Sequence, residues 1–356
     1  MASRYNAEHI GSLLRPDYLL EARRAAVPDD EMRAVEDRAI VEVLRYQEDL
    51  GLELVTDGEY RRTLWMKVLA QLYDGLDPEG FERSHRDESG NVERFGVPTP
   101  VAKLSRKASW IDIEFDFVKR HTAKAVKITM PSPSLLMSYW KPGISDRAYP
   151  DQDAYMADLV RLMNEDARAL AQAGCAYIQI DAPQYTYITD SRIRPDITDP
   201  AGTLTKMITY DNGVFEGVQG AVTGLHLCRG NYKSMWTGDR PYEEFAEIVF
   251  SQSRCDRLLL EYDDYRSGDF AALRFVPSGV DVVLGLLTTK RSEVEQKSDV
   301  LARVDDAARH LPLDRLALSP QCGFATIDEG NKISREAERA KLAMVVEMAR
   351  EVWGAA

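Results

Sequence analysis

Four residues in the second half of the chain have the types that hold a metal ion. His226 and Cys228 lie two positions apart, and Glu261 and Cys322 follow further on. Two thiolates, an imidazole and a carboxylate form a tetrahedral donor set suited to Zn2+. Each donor ends or follows a short apolar run: 221–225 before His226 and Cys228, 258–260 before Glu261, 316–320 before Cys322. Residues i and i+2 of a strand point the same way, so His226 and Cys228 can share one face. A carboxylate at the end of a buried strand is costly without a partner, which favours Glu261 beside a cation. The His-x-Cys pair alone reads more readily as a buried thiol beside a satisfied histidine. The strand-end placement of all four sets the metal reading above that one. Zinc bound by thiolate suits the activation of a substrate thiol better than hydrolysis, because the metal holds the sulfur deprotonated at neutral pH.

Other strand ends carry polar groups. Glu59 closes Thr56-Asp57-Gly58-Glu59, and Asp181 sits in Gln179-Ile180-Asp181-Ala182-Pro183. Each either pairs with an ammonium group or bonds to loop backbone. Ser12 and the amides around Gly11 can bind an anion such as a carboxylate. His9 either reaches the same region or lies at the surface. Arg229 can clamp an anionic group or hold a carboxylate behind the metal. Trp140, Tyr185 and Tyr187 either wall in a planar donor or serve packing. Cys175 and Cys255 lack a strand-end placement and read as structural thiols.

An alternation of strands and helices must position these residues. Eight runs read as strands: 9–12, 53–56, 125–129, 176–180, 221–225, 258–260, 282–287 and 316–318. Amphipathic stretches at helical period are clearest at 30–50, 151–173, 242–253, 292–310 and 334–353. Asp151 is expected to cap its helix, as is Ser292, with Glu295 three residues on as in a capping box. Such alternation implies an α/β fold with a parallel sheet. Eight strands imply a (β/α)8 TIM barrel with its chemistry on the C-terminal face. Residues 76–122 break the rhythm with Asp-Pro, Glu-Ser-Gly and Pro-Thr-Pro turn signals and an alternating run at 110–117. The alternation reads as an antiparallel strand pair, an inserted β-hairpin over the active-site mouth or at an interface. No repeat or linker divides the chain, so residues 1–356 are expected to form a single barrel domain.

Composition narrows the class. The 356 residues are 44% hydrophobic, and a net charge of −13 opposes nucleic-acid binding. No apolar run reaches the ~18 residues of a membrane span. Residues 1–9 lack the apolar stretch of a signal peptide. Four cysteines in a chain of this size do not look like a disulfide framework, and a cytoplasmic location fits.

Taken in order, Ile10-Gly11-Ser12, Gly58-Glu59, Gln179-Ile180-Asp181-x-Pro183, His226-x-Cys228-Arg229-Gly230-Asn231, Glu261-Tyr262-Asp263 and Ser319-Pro320-Gln321-Cys322-Gly323-Phe324 resemble the catalytic domain of cobalamin-independent methionine synthase. The resemblance runs through most of the chain. It implies Zn2+ held by His226, Cys228, Glu261 and Cys322, with homocysteine bound by Ile10, Ser12, Glu59 and Asp181. The implied reaction is zinc-dependent methyl transfer to homocysteine, giving methionine, from a methylfolate or methylcobalamin donor. Candidate catalytic groups are Asp181, Glu59, His9 and Tyr185, and Arg229 and Trp140 are further candidates for substrate binding. Two features depart from the family. The full enzyme has a second, N-terminal barrel that helps hold the folate, and its Asp-Glu-Pro is Asp181-Ala182-Pro183 here. Short single-barrel relatives include methylcobalamin-dependent synthase cores and epoxyalkane:coenzyme M transferases. The alternative is therefore zinc-dependent alkyl transfer with another thiol or electrophile; for an epoxide, Tyr185, Tyr187 or His9 would supply the proton. A third reading is a non-catalytic metal-binding barrel. Expected partners are a small thiol and its donor, without nucleic acid or membrane. A donor-carrying partner protein and a homo-oligomer are left open.

Overall fold

The structure is a computed structural model that describes residues 5–86 and 92–355. Nine strands follow in chain order: β1 (Leu54–Val55), β2 (Tyr73–Arg86), β3 (Val92–Arg106), β4 (Ala125–Pro131), β5 (Tyr177–Asp181), β6 (Val222–Leu227), β7 (Arg257–Glu261), β8 (Asp281–Leu287) and β9 (Leu316–Pro320). β1 and β4 to β9 pair in parallel, in sequence order, as one curled sheet of the TIM-barrel type. Period two assigns the side chains. On β7, Leu258 and Leu260 join the main core, while Leu259 packs with Ile10, Val283 and Ala317 in a separate inner cluster. Lys127 of β4 and Arg257 of β7 both pair with Glu8, Lys127 at 3.2 Å. The barrel interior is thus partly ionic, and its charges are matched.

The eighth position differs from expectation. Residues 9–12 are not a strand. The sheet contact lies earlier, as a single parallel bridge between Ala7 and Leu318 on β9, with Glu8 N–H donating to Leu318 O (2.9 Å). The chain then crosses to the β1 side, where Leu13 N–H donates to Gly58 O (3.1 Å) and Thr56 Oγ1 to Gly11 O (2.8 Å). Gly11 turns at φ 152°, and a Cβ there would lie 2.8 Å from Glu59 Oε1. Close approach to that carboxylate, rather than ladder pairing, shapes this segment.

The inserted hairpin is present as β2 and β3, paired antiparallel from Tyr73↔Arg106 to Arg86↔Val92. The expected Glu-Ser-Gly turn lies outside the described residues. The alternating run 110–117 is not part of the hairpin. It forms a π-helical turn, Ile111–Phe115, that continues as a helix, Asp116–His121. Trp110, Glu114, Phe115 and Val118 are its buried residues, a helical spacing hidden within a short alternation.

Asp151 caps its helix, accepting from Ala154 N–H (2.8 Å). Ser292 and Glu295 do not form a capping box. That helix begins at Lys297; Ser292 Oγ accepts from Ser334 N–H, and Glu295 pairs with Lys341 (2.7 Å). Pro200–Phe215, not anticipated, is a helix capped by Asp199. Its weak helix formers (Gly202, Thr203, Thr205, Thr209, Gly213) hid it.

Candidate active site

The C-terminal ends of β6 and β9 bring together His226, Cys228 and Cys322. One ligand atom from each lies within 4.8 Å of the others, and all three residues are buried. His226 Nδ1 is bonded to Leu259 O (3.1 Å), so Nδ1 carries the proton and Nε2 presents its lone pair. Nε2 is buried and has no hydrogen-bond partner. A buried orphaned imidazole nitrogen beside two sulfurs fits a thiophilic divalent ion. The proximity of the two sulfurs lowers the Cys228 pKa well below that of a free thiol and raises that of Cys322.

Glu261 ends β7 next to this group but is not one of the three clustered donors. Its Oε2 accepts from Arg229 N–H (2.7 Å), and Oε1 faces Arg266 (3.3 Å) and Lys290 (3.4 Å). Burial works against its charge, but Lys290, Arg229 and Arg266 outweigh it and keep the carboxylate ionised.

Ile10, Ser12, Glu59, Asp181, His226, Cys228 and Cys322 all line one cleft that opens to solvent. Glu59 takes a left-handed conformation (φ 60°) after Gly58 (φ 69°) and is held by its N–H donating to Asp57 Oδ1 (2.8 Å). Such strain persists where the surroundings fix it, often at functional sites. Glu59 Oε1 accepts from Thr129 Oγ1 (2.7 Å), with Arg62 at 3.4 Å. Gln179 Nε2 bonds both Asp181 Oδ1 (2.7 Å) and Ile10 O (2.7 Å), tying β5 to the N-terminal segment. Burial pushes the Asp181 carboxyl up to about 7. Ser12 Oγ accepts from Ala325 N–H (3.3 Å).

Three candidates sit elsewhere, and a fourth, Arg229, takes the second of its two expected roles. His9 is neither in the cleft nor at the surface. It is buried against the helix Asp29–Leu50, its Nε2 on Gln47 (2.8 Å), and burial brings its pKa to about 3. Tyr185 is fully buried and donates to Asp211 (2.8 Å); its neighbour Tyr187 lines the cleft instead. Trp140 donates to Tyr149 O (3.2 Å) away from the cleft. Arg229 does not clamp an anion. Its guanidinium binds the carbonyls of Glu261 (3.2 Å) and Arg240 (2.9 Å), so its part is to position Glu261. Sequence reasoning missed Arg83, Phe95, Tyr139 and Tyr232, which line the outer wall. The available signal was the hairpin insertion, which supplies Arg83 and Phe95.

The family model described as "Cobalamin-independent synthase, Catalytic domain" matches residues 15–351. The chain belongs to this family, that of the cobalamin-independent methionine synthases. The uncharacterized protein YxjH of Bacillus subtilis (strain 168) is 33% identical over 365 residues, covering 98% of this chain and 95% of that protein. A methionine synthase of Pyrococcus horikoshii is 24% identical over 324 residues, covering 90% and 86%. Among solved structures, a putative vitamin-B12 independent methionine synthase from Listeria monocytogenes superposes with TM-score 0.76 at 25% identity, covering 99% of each chain. Among the described residues of this methionine synthase relative, no helix is long and apolar enough to cross a membrane.

Proposed function

We propose that the protein is a zinc-dependent thiol methyltransferase that converts homocysteine to methionine. One observation carries this reading: the unpartnered His226 Nε2 and the sulfurs of Cys228 and Cys322 face the same cleft as Glu59 and Asp181. His226, Cys228 and Cys322 would hold the metal, with Glu261 as fourth donor. When bound, Zn2+ would keep the substrate sulfur as a thiolate at neutral pH and so make it a nucleophile.

The chain's own groups do the rest. Glu59 and Asp181 offer two carboxylates to an ammonium group. That favours an amino-acid thiol over one bearing a sulfonate, which they would repel. Ser12 and the backbone at Ile10–Gly11 receive the substrate carboxylate. Arg229, Arg266 and Lys290 fix Glu261, and His226 is fixed by Leu259 O, so the donors are set before substrate arrives. The methyl donor, a methylfolate or methylcobalamin, would enter from the hairpin side, where the cleft wall is aromatic.

Zinc-edge X-ray absorption of the metal-loaded protein, with and without homocysteine, tests the reading. The expected result is one additional Zn–S contact with homocysteine and none with coenzyme M. A protein that takes up no zinc, or zinc whose shell ignores homocysteine, overturns it.

A further inference from the structure

The cleft is lined by two chemically different groups of residues. Glu59 and Asp181 lie at the strand ends. The hairpin brings Arg83, Ser84 and Phe95 to the same cleft, where Tyr139, Tyr187 and Tyr232 also line the wall. Phe95 stacks on Tyr232 (5.2 Å, 19°), and Lys233 pairs with Glu93 (2.9 Å), so the hairpin is latched to the loop that follows β6.

Most inward-facing arginines have a carboxylate partner; Arg229 has instead the carbonyls of Glu261 and Arg240, and Arg83 has neither among the described contacts. Arg62 has Glu114 (2.7 Å), Arg15 has Asp328 (3.2 Å), Arg257 has Glu8 and Arg266 has Asp264 (2.6 Å). The Arg83 guanidinium lies 5.7 Å from the Tyr139 ring centroid and meets the phenol oxygens of Tyr187 and Tyr139. Those partners are neutral, and among the described residues no carboxylate pairs with it. A largely desolvated guanidinium with neutral partners keeps an unbalanced charge and free donors in a fixed fork. The fork matches a carboxylate or phosphate, and the aromatic wall matches a flat, apolar body.

We infer that Arg83, carried into the cleft by the hairpin, binds an acidic group of the methyl donor, a carboxylate or a phosphate, and so selects the donor. This rests on the methyl-transfer reading above. The thiol substrate is served by other residues, Glu59, Asp181 and Ser12, so Arg83 governs donor binding without governing thiol binding.

The test is calorimetric titration of the zinc-loaded enzyme with two pairs of probes. One pair is 5-methyltetrahydrofolate and 5-methyltetrahydropterin, which lacks the glutamyl carboxylates. The other is methylcobalamin and methylcobinamide, which lacks the phosphate. The wild type should prefer the acidic member of one pair by about tenfold, as a charge-assisted contact provides. The pair showing it identifies the group as carboxylate or phosphate. Arg83→Gln should abolish the preference, and Arg83→Lys should retain part of it. No preference in either pair, no binding of any probe, or a preference unchanged in Arg83→Gln overturns the inference. So does an Arg83→Gln enzyme that loses homocysteine binding in parallel. Zinc-edge absorption of the wild type with homocysteine separates the two failures: an unresponsive metal shell refutes the methyl-transfer reading, while the titrations still report on Arg83.

Discussion

Cys228 and Cys322 differ from Cys175 and Cys255 in their neighbours, since all four are buried. Cys175 Sγ donates to Tyr177 O (3.2 Å) and Cys255 Sγ to Arg257 O (3.2 Å); burial pushes both thiols up to about 12, which keeps them protonated and inert. Cys228 and Cys322 have each other and His226. Cys228→Ser and Cys322→Ala are therefore expected to lose bound zinc and methionine formation together, while Cys175→Ala and Cys255→Ala keep both. Metal analysis and a methyl-transfer assay on the same preparations check this. An active Cys322→Ala enzyme with little zinc would be the damaging result. The gathering of His226, Cys228 and Cys322 was legible from residue type and the i, i+2 rule, because strand period fixes direction. The places of His9, Tyr185 and Trp140 were not. Each lies beside or beyond a strand end, where direction depends on a partner distant in sequence: Gln47 for His9, Asp211 for Tyr185.

At the scale of elements, the segment misread as a strand turns out to support the site. The π-helical turn Ile111–Phe115 places Glu114 against Arg62, with Nε and Nη2 each at 2.7 Å. Arg62 also donates to Thr129 O (2.8 Å) and approaches Glu59 (3.4 Å). Glu114 thus acts on Glu59 through Arg62. Removing one partner of a buried pair leaves the other charge uncompensated. Glu114→Leu should cost about 3–5 kcal/mol of stability and raise the KM for homocysteine. Glu114→Gln, which keeps an acceptor, should cost less. Denaturant unfolding and steady-state kinetics measure the two effects, and an unchanged KM in Glu114→Leu would detach Glu114 from the site. The short run 110–117 alternates apolar and acidic residues yet cannot fix a period by itself, so Arg62, far away in sequence, was the deciding contact. The parallel strands were readable because each is a short, mostly apolar run set off from amphipathic helical stretches. The edge at residues 9–12 was not, because Gly11 serves the Glu59 carboxylate rather than a ladder.

At the scale of the whole molecule, closure of the barrel depends on contacts between the two ends of the chain, and one of them titrates. Glu338, near the start of the helix Arg335–Trp353, accepts from Leu14 N–H (2.8 Å). Burial pushes its pKa up to about 7 despite that bond. The folded state therefore holds a proton that the unfolded state has lost between about pH 4.5 and 7. Its contribution to stability is fully present below the lower value and is lost as pH rises through the upper one. Glu338→Gln keeps the acceptor without the charge, so its Tm should fall less than that of the wild type between pH 5 and 8. Parallel pH curves would contradict the assignment.

Metal binding should act on the same closure. His226 lies near the end of β6, Cys228 directly follows it, and Cys322 follows β9, so an ion held by all three links segments about a hundred residues apart in a way no unfolded chain can match. Free zinc at about 100 times its Kd stabilises the folded state by about 2.7 kcal/mol. For a chain of this length that corresponds to a rise in Tm of about 3–4 °C. Chelation should remove the rise and readdition restore it, as followed by calorimetry. The Cys228→Ser protein should melt at the same temperature with or without zinc. A wild-type Tm indifferent to zinc would mean that the three donors, close as they are, do not close on an ion.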